Sequence, residues 1–515
     1  MAVEFNDKSN LTIVEKWRSR GVFISFLLIF VILSLWPFFS YPSPGLIDYH
    51  NHLARLHILT GVLPEGWSRY YEVRPELVPN LALDILARWF VVIGFSPEIS
   101  LRIFSGIAFF SIPLGALILS GVVNRNVPWM ALLAFPFAFN LYFIYGFLNY
   151  ILSIGLALLI IALWVKNSRL KEGWGYWFWN IIIASMLNAL LVCHLMGYGL
   201  ALATMSLYEL GRSYPFESKN GRLASRIYVL AAVVLPSIIF YLFMFDHSRP
   251  MEIQYFNIFR SKVIGIISPF LAYYAPAALA AALVFFLGIG FIVGRQLINA
   301  KAWPSSSLFP VVGLFLLFLV VPSAMLGSYS LDRRLFICVA VLFLSFIVVI
   351  LKKRQAVAVA AVALGLHVAK IVEISGVWKD QSRSISEASV AIKDIPVGAK
   401  VGGVSFTDTG SFEIPPLRHA IMLALIERSA FVPNLFAQPF NGESVAYKEG
   451  YIERNQSLLS ALRPDDPVPW GFVCEKYEYF LLTYMSRFPK TPDCLQLMSK
   501  GSGFNLYSIK KHKSQ

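Results

Sequence analysis

Asp48, Asn51, His52 and Arg55 stand at i, i+3, i+4 and i+7, so a helix starting near Asp48 carries an acid, an amide, an imidazole and a guanidinium on one face. A carboxylate in that company can take a proton from a hydroxyl, or hold a divalent cation such as magnesium or manganese with His50 and His52 as further ligands. The plainer reading is that Asp48 caps the helix while the His and Arg side chains meet lipid headgroups, and spacing alone leaves both open. A second group is the adjacent pair Arg333 and Arg334, whose guanidinium forks suit phosphate oxygens; a helix-end anchor with Asp332 as local partner is the alternative. Arg260 and Lys262 are weaker phosphate-binding candidates, because loop cations turn readily to water. Asn149, in Gly146-Phe-Leu-Asn-Tyr150, and His194, in Cys193-His-Leu-Met-Gly197, are polar groups in tight connections at the membrane boundary. A hydrogen-bonded supporting role is expected for both.

The elements that must position these residues are mostly membrane helices. Of 515 residues, 57% are hydrophobic and 14% charged, which excludes a soluble enzyme. Apolar runs long enough to span a bilayer are expected at about 22–40, 100–122, 128–146, 148–165, 176–192, 194–210, 227–245, 270–293, 308–326, 335–351 and 356–372, about eleven transmembrane helices. The polar stretch Met1 to Arg20 runs into the first of them without a cleavage signal. The chain therefore divides into a membrane module, 1–372, and an outer domain, 373–515. Residues 1–372 carry 28 Lys and Arg against 15 Asp and Glu, so the excess of positive charge belongs to membrane loops and does not imply a nucleic-acid partner. The loops around Arg125, Lys166 to Lys171, Arg212 to Arg226, Arg295 to Lys301 and Lys352 to Arg354 hold most of it. The positive-inside rule then puts the N-terminus in the cytoplasm, and puts the loop 41–99, the Asp246 to Pro269 loop and the C-terminal domain on the outer, periplasmic or extracellular face.

The 41–99 loop is expected to contain two interfacial helices, one from Asp48 and one from Leu81 to Val92, the latter with Asp84 and Arg88 as a surface ion pair. In the C-terminal domain, Ser375 to Ile395 is patterned as an amphipathic helix. Lys400 to Phe406 and Tyr477 to Tyr484 are patterned as strands, and Leu495 to Ile509 as a hairpin, giving an α/β or α+β fold. Cys474 and Cys494 lie in a compartment that permits a disulfide, which sequence leaves open; Cys193 and Cys338 sit in spans as small hydrophobes.

The motif Asp48-x-x-Asn51-His52-Leu53-Ala54-Arg55, with Gly146 to Tyr150 and His194-Leu195-x-Gly197, resembles stretches of a bacterial branch of the GT-C superfamily of membrane glycosyltransferases. A long first outer loop, about eleven spans and an outer α/β domain are similar to that superfamily over most of the chain. The resemblance implies an enzyme of the inner membrane that moves a sugar from a polyprenyl-phosphate-linked donor to a glycan, lipid or protein acceptor, with inversion. It gives the catalytic base to Asp48. Many members have two adjacent acids here, whereas Asp48 is followed by Tyr49 and His50, so the exact base and any metal stay open. A transporter or lipid flippase, or a subunit with the fold and no activity, are the alternatives.

Overall fold

The computed structural model describes residues 13–74, 79–124, 127–214, 222–244, 253–298, 304–325, 328–349, 351–406, 417–437, 444–451, 467–483 and 490–510. Met1, Arg125, Asp246 and Lys301, which bound loops in the sequence reading, lie outside them. Among the described residues, seven helices are long and apolar enough to cross a membrane: Arg20–Ser40, Pro97–Asn124, Leu148–Asn167, Trp174–Cys193, Ala224–Phe243, Ala275–Ile292 and Lys353–Ile392. Ser305–Val320 is a shorter apolar helix.

The expected span at 128–146 is not one helix. It is broken into Trp129–Leu133, Ala134–Ala138 and Leu141–Tyr145. Pro136 removes a backbone donor. Asn140 then restarts the helix, its side-chain oxygen accepting from Tyr142 N and Phe143 N, and Gly146 ends it at φ +91°.

The boundary expected at residue 372 also falls inside a continuous element. Lys353–Ile392 is a single 40-residue helix, about 60 Å long at 1.5 Å per residue. Its first part, as far as Ile374, buries Ala360, Ala363 and Ile374 in the membrane bundle, and its end buries Ala388 and Ile392 in the outer domain. The expected amphipathic helix is thus the continuation of the last span. Where the two halves meet, Trp378 Nε1 donates to Tyr273 Oη (2.9 Å), and that hydroxyl donates to Gly45 O (2.8 Å), tying the long helix to the turn after the first span.

The outer domain holds a four-stranded sheet in the order Val401–Ser405, Tyr479–Thr483, Phe504–Ile509, Leu495–Gly501. The first pair is parallel and the others antiparallel, and the last two strands form the expected hairpin, turning through Gly503 at φ +80°. A disulfide joins Cys474 to Cys494, with Cα atoms 6.3 Å apart.

The 41–99 loop is built into this domain. Ala54, Ile58, Leu59, Tyr70 and Tyr71 share its core, and Tyr71–Val73 pairs antiparallel with Val445–Tyr447. Burial of such a face fixes the loop helix against both modules.

Candidate active site

The helix Tyr49–Thr60 begins one residue after Asp48, which sits at the N-cap position without making a side-chain cap bond. Its carboxylate is directed elsewhere: Oδ1 lies 3.2 Å from Nε2 of His419, in the outer domain, and both side chains are buried. Asn51 fixes that imidazole. The amide oxygen of Asn51 accepts from Phe436 N (2.8 Å), so its nitrogen is the donor, to Asn434 O (2.8 Å) and to His419 Nδ1 (3.3 Å). With Nδ1 accepting, the proton of a neutral His419 is on Nε2, the ring nitrogen that lies 3.2 Å from Asp48 Oδ1. Among the described residues Asp48 Oδ2 accepts no hydrogen bond.

Backbone contacts hold Asp48 from the other side. Ile47 N donates to Ile144 O and Asp48 N to Tyr145 O, each at 3.0 Å. His52 Nε2 donates to Gly146 O (3.0 Å), which leaves Nδ1 as a buried acceptor without a hydrogen-bond partner. Gly146 is required here twice over: its φ is +91°, and a Cβ would come within 2.9 Å of Asp48 Cβ. Burial pushes the His50 and His52 imidazoles down to about 4; the neighbouring His419 adds to the effect at His50, and Arg55 at His52. Both are neutral near pH 7.

Arg55 does not face the site. It is buried against Asp84, with Nε to Oδ1 at 2.9 Å and Nη2 to Oδ1 at 2.8 Å, joining the two outer helices. The expected surface pair of Asp84 with Arg88 is corrected accordingly: Arg88 is exposed and Asp84 is 4% exposed. Register on one helix placed Asp84 near Arg88, but packing of Ala82–Val92 on Tyr49–Thr60 gave it a desolvated partner.

Arg334 lies over Phe147, its Cζ 4.4 Å from the ring centroid and 5.8 Å from those of Tyr142 and Tyr150. It lies within electrostatic reach of Asp48. Arg333 Nε donates to Ser261 Oγ (2.9 Å). The Tyr145 hydroxyl is in the fields of Arg418, Asp48 and Arg333 together. Carboxylate and guanidinium groups therefore gather beside the 141–147 segment.

Lys262 is removed from the phosphate-binding candidates. It is buried, its ammonium donates to Phe318 O (2.7 Å) and Val321 O (2.8 Å), and it pairs with Asp332 Oδ2 (3.3 Å), so the charge is already matched inside the chain. Asp332 is thus a partner of Lys262 as well as an acceptor from Arg333 N. Arg260 remains exposed. Asn149 accepts from Leu83 N (2.7 Å) and donates to Asn80 Oδ1 (2.9 Å), anchoring the start of the second outer helix. His194 caps Leu195–Ser213 through Met196 N.

For a divalent cation, Asp48, His50 and His52 do not form a ligand set, and among the described residues no three His, Cys, Asp or Glu side chains are grouped to hold a metal. His419 and Arg418 were not found from sequence. They sit next to each other in a stretch with no periodic pattern, and only the fold brings them to the 48–55 segment.

No protein-family model matches the chain, and no curated protein matches its sequence. Its fold does match solved structures. The crystal structure of ArnT from Cupriavidus metallidurans bound to undecaprenyl phosphate aligns with a TM-score of 0.56 at 10% identity, over 96% of this chain and 98% of that one. The apo structure of the same protein aligns at 0.51 and 11% identity, over 95% and 98%. This is a GT-C-like fold. The likeness extends through both the membrane bundle and the outer sheet domain, so the two modules belong to one architecture.

Proposed function

We propose that this protein is a multi-pass inner-membrane glycosyltransferase that transfers a sugar from a polyprenyl-phosphate-linked donor to a glycan, lipid or protein acceptor at the outer face. The observation that carries this reading is the convergence at one end of the bundle of Asp48, held by His419, with Arg333, Arg334 and Arg418. A base facing fixed cations suits a reaction in which a hydroxyl loses a proton while a phosphate leaves. The neighbour ArnT was crystallised with undecaprenyl phosphate, which supports a donor of that class.

In this reading the acceptor oxygen attacks the anomeric carbon as the bond from that carbon to the phosphate oxygen breaks. The electron pair leaves with the lipid phosphate, stabilised by Arg333 and Arg334, and the acceptor proton passes to Asp48 Oδ2. His419, paired with Oδ1 across 3.2 Å, positions the carboxylate. One displacement inverts the anomeric centre. No step is assigned to a metal, although the resemblance leaves magnesium or manganese as a cofactor that a substrate phosphate could bring. The isoprenoid chain is assigned to an apolar groove of about 710 Å³ between Arg20–Ser40, Pro97–Asn124 and Leu148–Asn167, lined by Phe38, Ile103, Phe110 and Leu156, with Arg102 at its outer end. The orientation proposed is N-terminus cytoplasmic and C-terminal domain outer.

Donor binding tests this directly. Replacing Arg333 and Arg334 together by Gln should leave a folded protein whose affinity for undecaprenyl phosphate in detergent falls by about tenfold or more, the loss of charge-assisted hydrogen bonds. Unchanged affinity would return the pair to the role of helix anchor.

A further inference from the structure

The turn from Leu417 to Ala420 carries two polar side chains, and of these only His419 has a step or a contact assigned above. Ala420 N donates to Leu417 O (3.0 Å) and Thr483 Oγ1 donates to the same carbonyl (3.4 Å), so the turn is fastened to the end of a sheet strand. Arg418 is half-buried there. Among the described residues it makes no hydrogen bond or ion pair, and its Nε is buried without a partner. A guanidinium partly withdrawn from water and left unpaired is costly, and an anion offsets that cost. The neighbouring cations are engaged, Arg333 by Ser261 Oγ and Arg334 by the ring of Phe147.

Arg418 lines a small polar pocket together with His419, Ser405, Asn434 and Thr483. The strands Val401–Ser405 and Tyr479–Thr483 are parallel, with Ser405 opposite Thr483, so the pocket lies at their carboxyl ends. Open α/β sheets take their ligands outside those ends. The pocket also adjoins the base. His419, in its wall, is 3.2 Å from Asp48 Oδ1, and Asn434 O accepts from Asn51 Nδ2 on the helix that follows Asp48. Among the described residues its lining holds one guanidinium and no carboxylate.

The base decides which substrate lies here. Arg333 and Arg334, on the membrane helix Leu331–Phe346, are assigned to the leaving phosphate, whereas Asp48 meets the acceptor hydroxyl. A pocket built by the outer domain and walled by the partner of Asp48 is therefore on the acceptor side. We propose that this pocket is the acceptor subsite, and that Arg418 pairs there with an anionic group, a phosphate or a carboxylate, carried by the acceptor near the hydroxyl that Asp48 deprotonates. This rests on the function proposed above and narrows its acceptor to an anionic one. Asp48 repels such a group, and Arg418 offsets the repulsion. A neutral acceptor would leave the guanidinium unpaired.

The test uses the full-length protein in detergent, first saturated with undecaprenyl phosphate so that the donor site is filled. Binding of glucose 6-phosphate, glucuronate and glucose is then measured by calorimetry. At least one anionic sugar should bind about tenfold more tightly than glucose, the order expected of one added charge-assisted contact, and the tighter of the two names the group. Arg418→Gln should reduce that sugar to the level of glucose with undecaprenyl phosphate affinity unchanged. Arg418→Lys, which keeps the charge without the fork, should retain part of the preference. Equal binding of the three sugars to the unaltered protein would overturn the proposal, as would a preference that survives Arg418→Gln. Loss of undecaprenyl phosphate affinity in Arg418→Gln would also overturn it, by giving the residue to the donor phosphate. The donor reading is judged by the undecaprenyl phosphate titration and this one by the sugars, so the two failures are distinguishable.

Discussion

Asp48 was legible in the sequence because an acid, an amide and an imidazole recur at helical spacing after a Pro-Ser-Pro-Gly turn. Its partner was not, since Asn51 and His419 are 368 positions apart and nothing local marks residue 419. The imidazole is placed by an amide whose orientation two backbone groups determine, so its effect on Asp48 is geometric. His419→Leu should lower the rate of sugar transfer by about 10²-fold, the cost of a carboxylate displaced by about 1 Å, with little change in donor KM, and His419→Gln should recover part of the loss by keeping an N–H donor. A merely structural histidine would lower stability and leave kcat of the folded fraction intact. His50 and His52 give a pH signature. Their folded pKa values, about 4, lie below the ordinary value of 6.5, so the unfolded chain takes up protons first as pH falls. Stability should be complete above about pH 6.5 and decline toward pH 4, by up to about 4 kcal/mol at pH 5 for the two together. Thermal unfolding in detergent at pH 7.5 and pH 5 checks this, and His52→Gln should flatten the dependence.

Among the elements, the strands of the outer sheet and the hairpin through Gly503 were readable from their patterning, and two helices in the first long loop were expected, but the one from Tyr49 is buried between the two modules and is not interfacial. What failed was the use of hydropathy to delimit elements. The 128–146 stretch is apolar throughout, yet Pro136 and Asn140 divide it, and the resulting short helix brings Gly146 against Asp48. At 353–392 the composition turns polar half-way, but helix continuity depends on backbone hydrogen bonds and not on which solvent surrounds them. Surface pairing by register also misled: Asp84 chose the buried Arg55 over the exposed Arg88. Asp84→Asn should therefore destabilise the protein by about 3 kcal/mol or more, as expected when one member of a buried pair is removed, whereas Arg88→Gln should be close to neutral. Denaturant or thermal unfolding of the two variants separates the alternatives.

Taken as a whole, the molecule joins its modules rigidly enough to share a site. A 40-residue helix runs from the bundle into the outer domain, the first outer loop contributes Tyr70 and Tyr71 to the domain core, and the domain returns His419 to the first outer loop. That reciprocal construction explains why the sequence alone could not assemble the site: each contribution comes from a different module. It also makes orientation consequential. A reporter fused after Gln515 should report the outer compartment, and a cytoplasmic signal would separate the domain from any donor displayed on the outer face.

The central claim is that Asp48 receives the acceptor proton, and the most direct measurement is sugar transfer by the Asp48→Asn variant alongside its donor affinity. Asn keeps the size of the side chain but lacks the basic oxygen. The account predicts unchanged expression and undecaprenyl-phosphate binding with transfer lowered by ~10² to 10⁴-fold, the range typical of losing a general base. Full transfer activity in Asp48→Asn would contradict it and would move the proton to the unpartnered Nδ1 of His52.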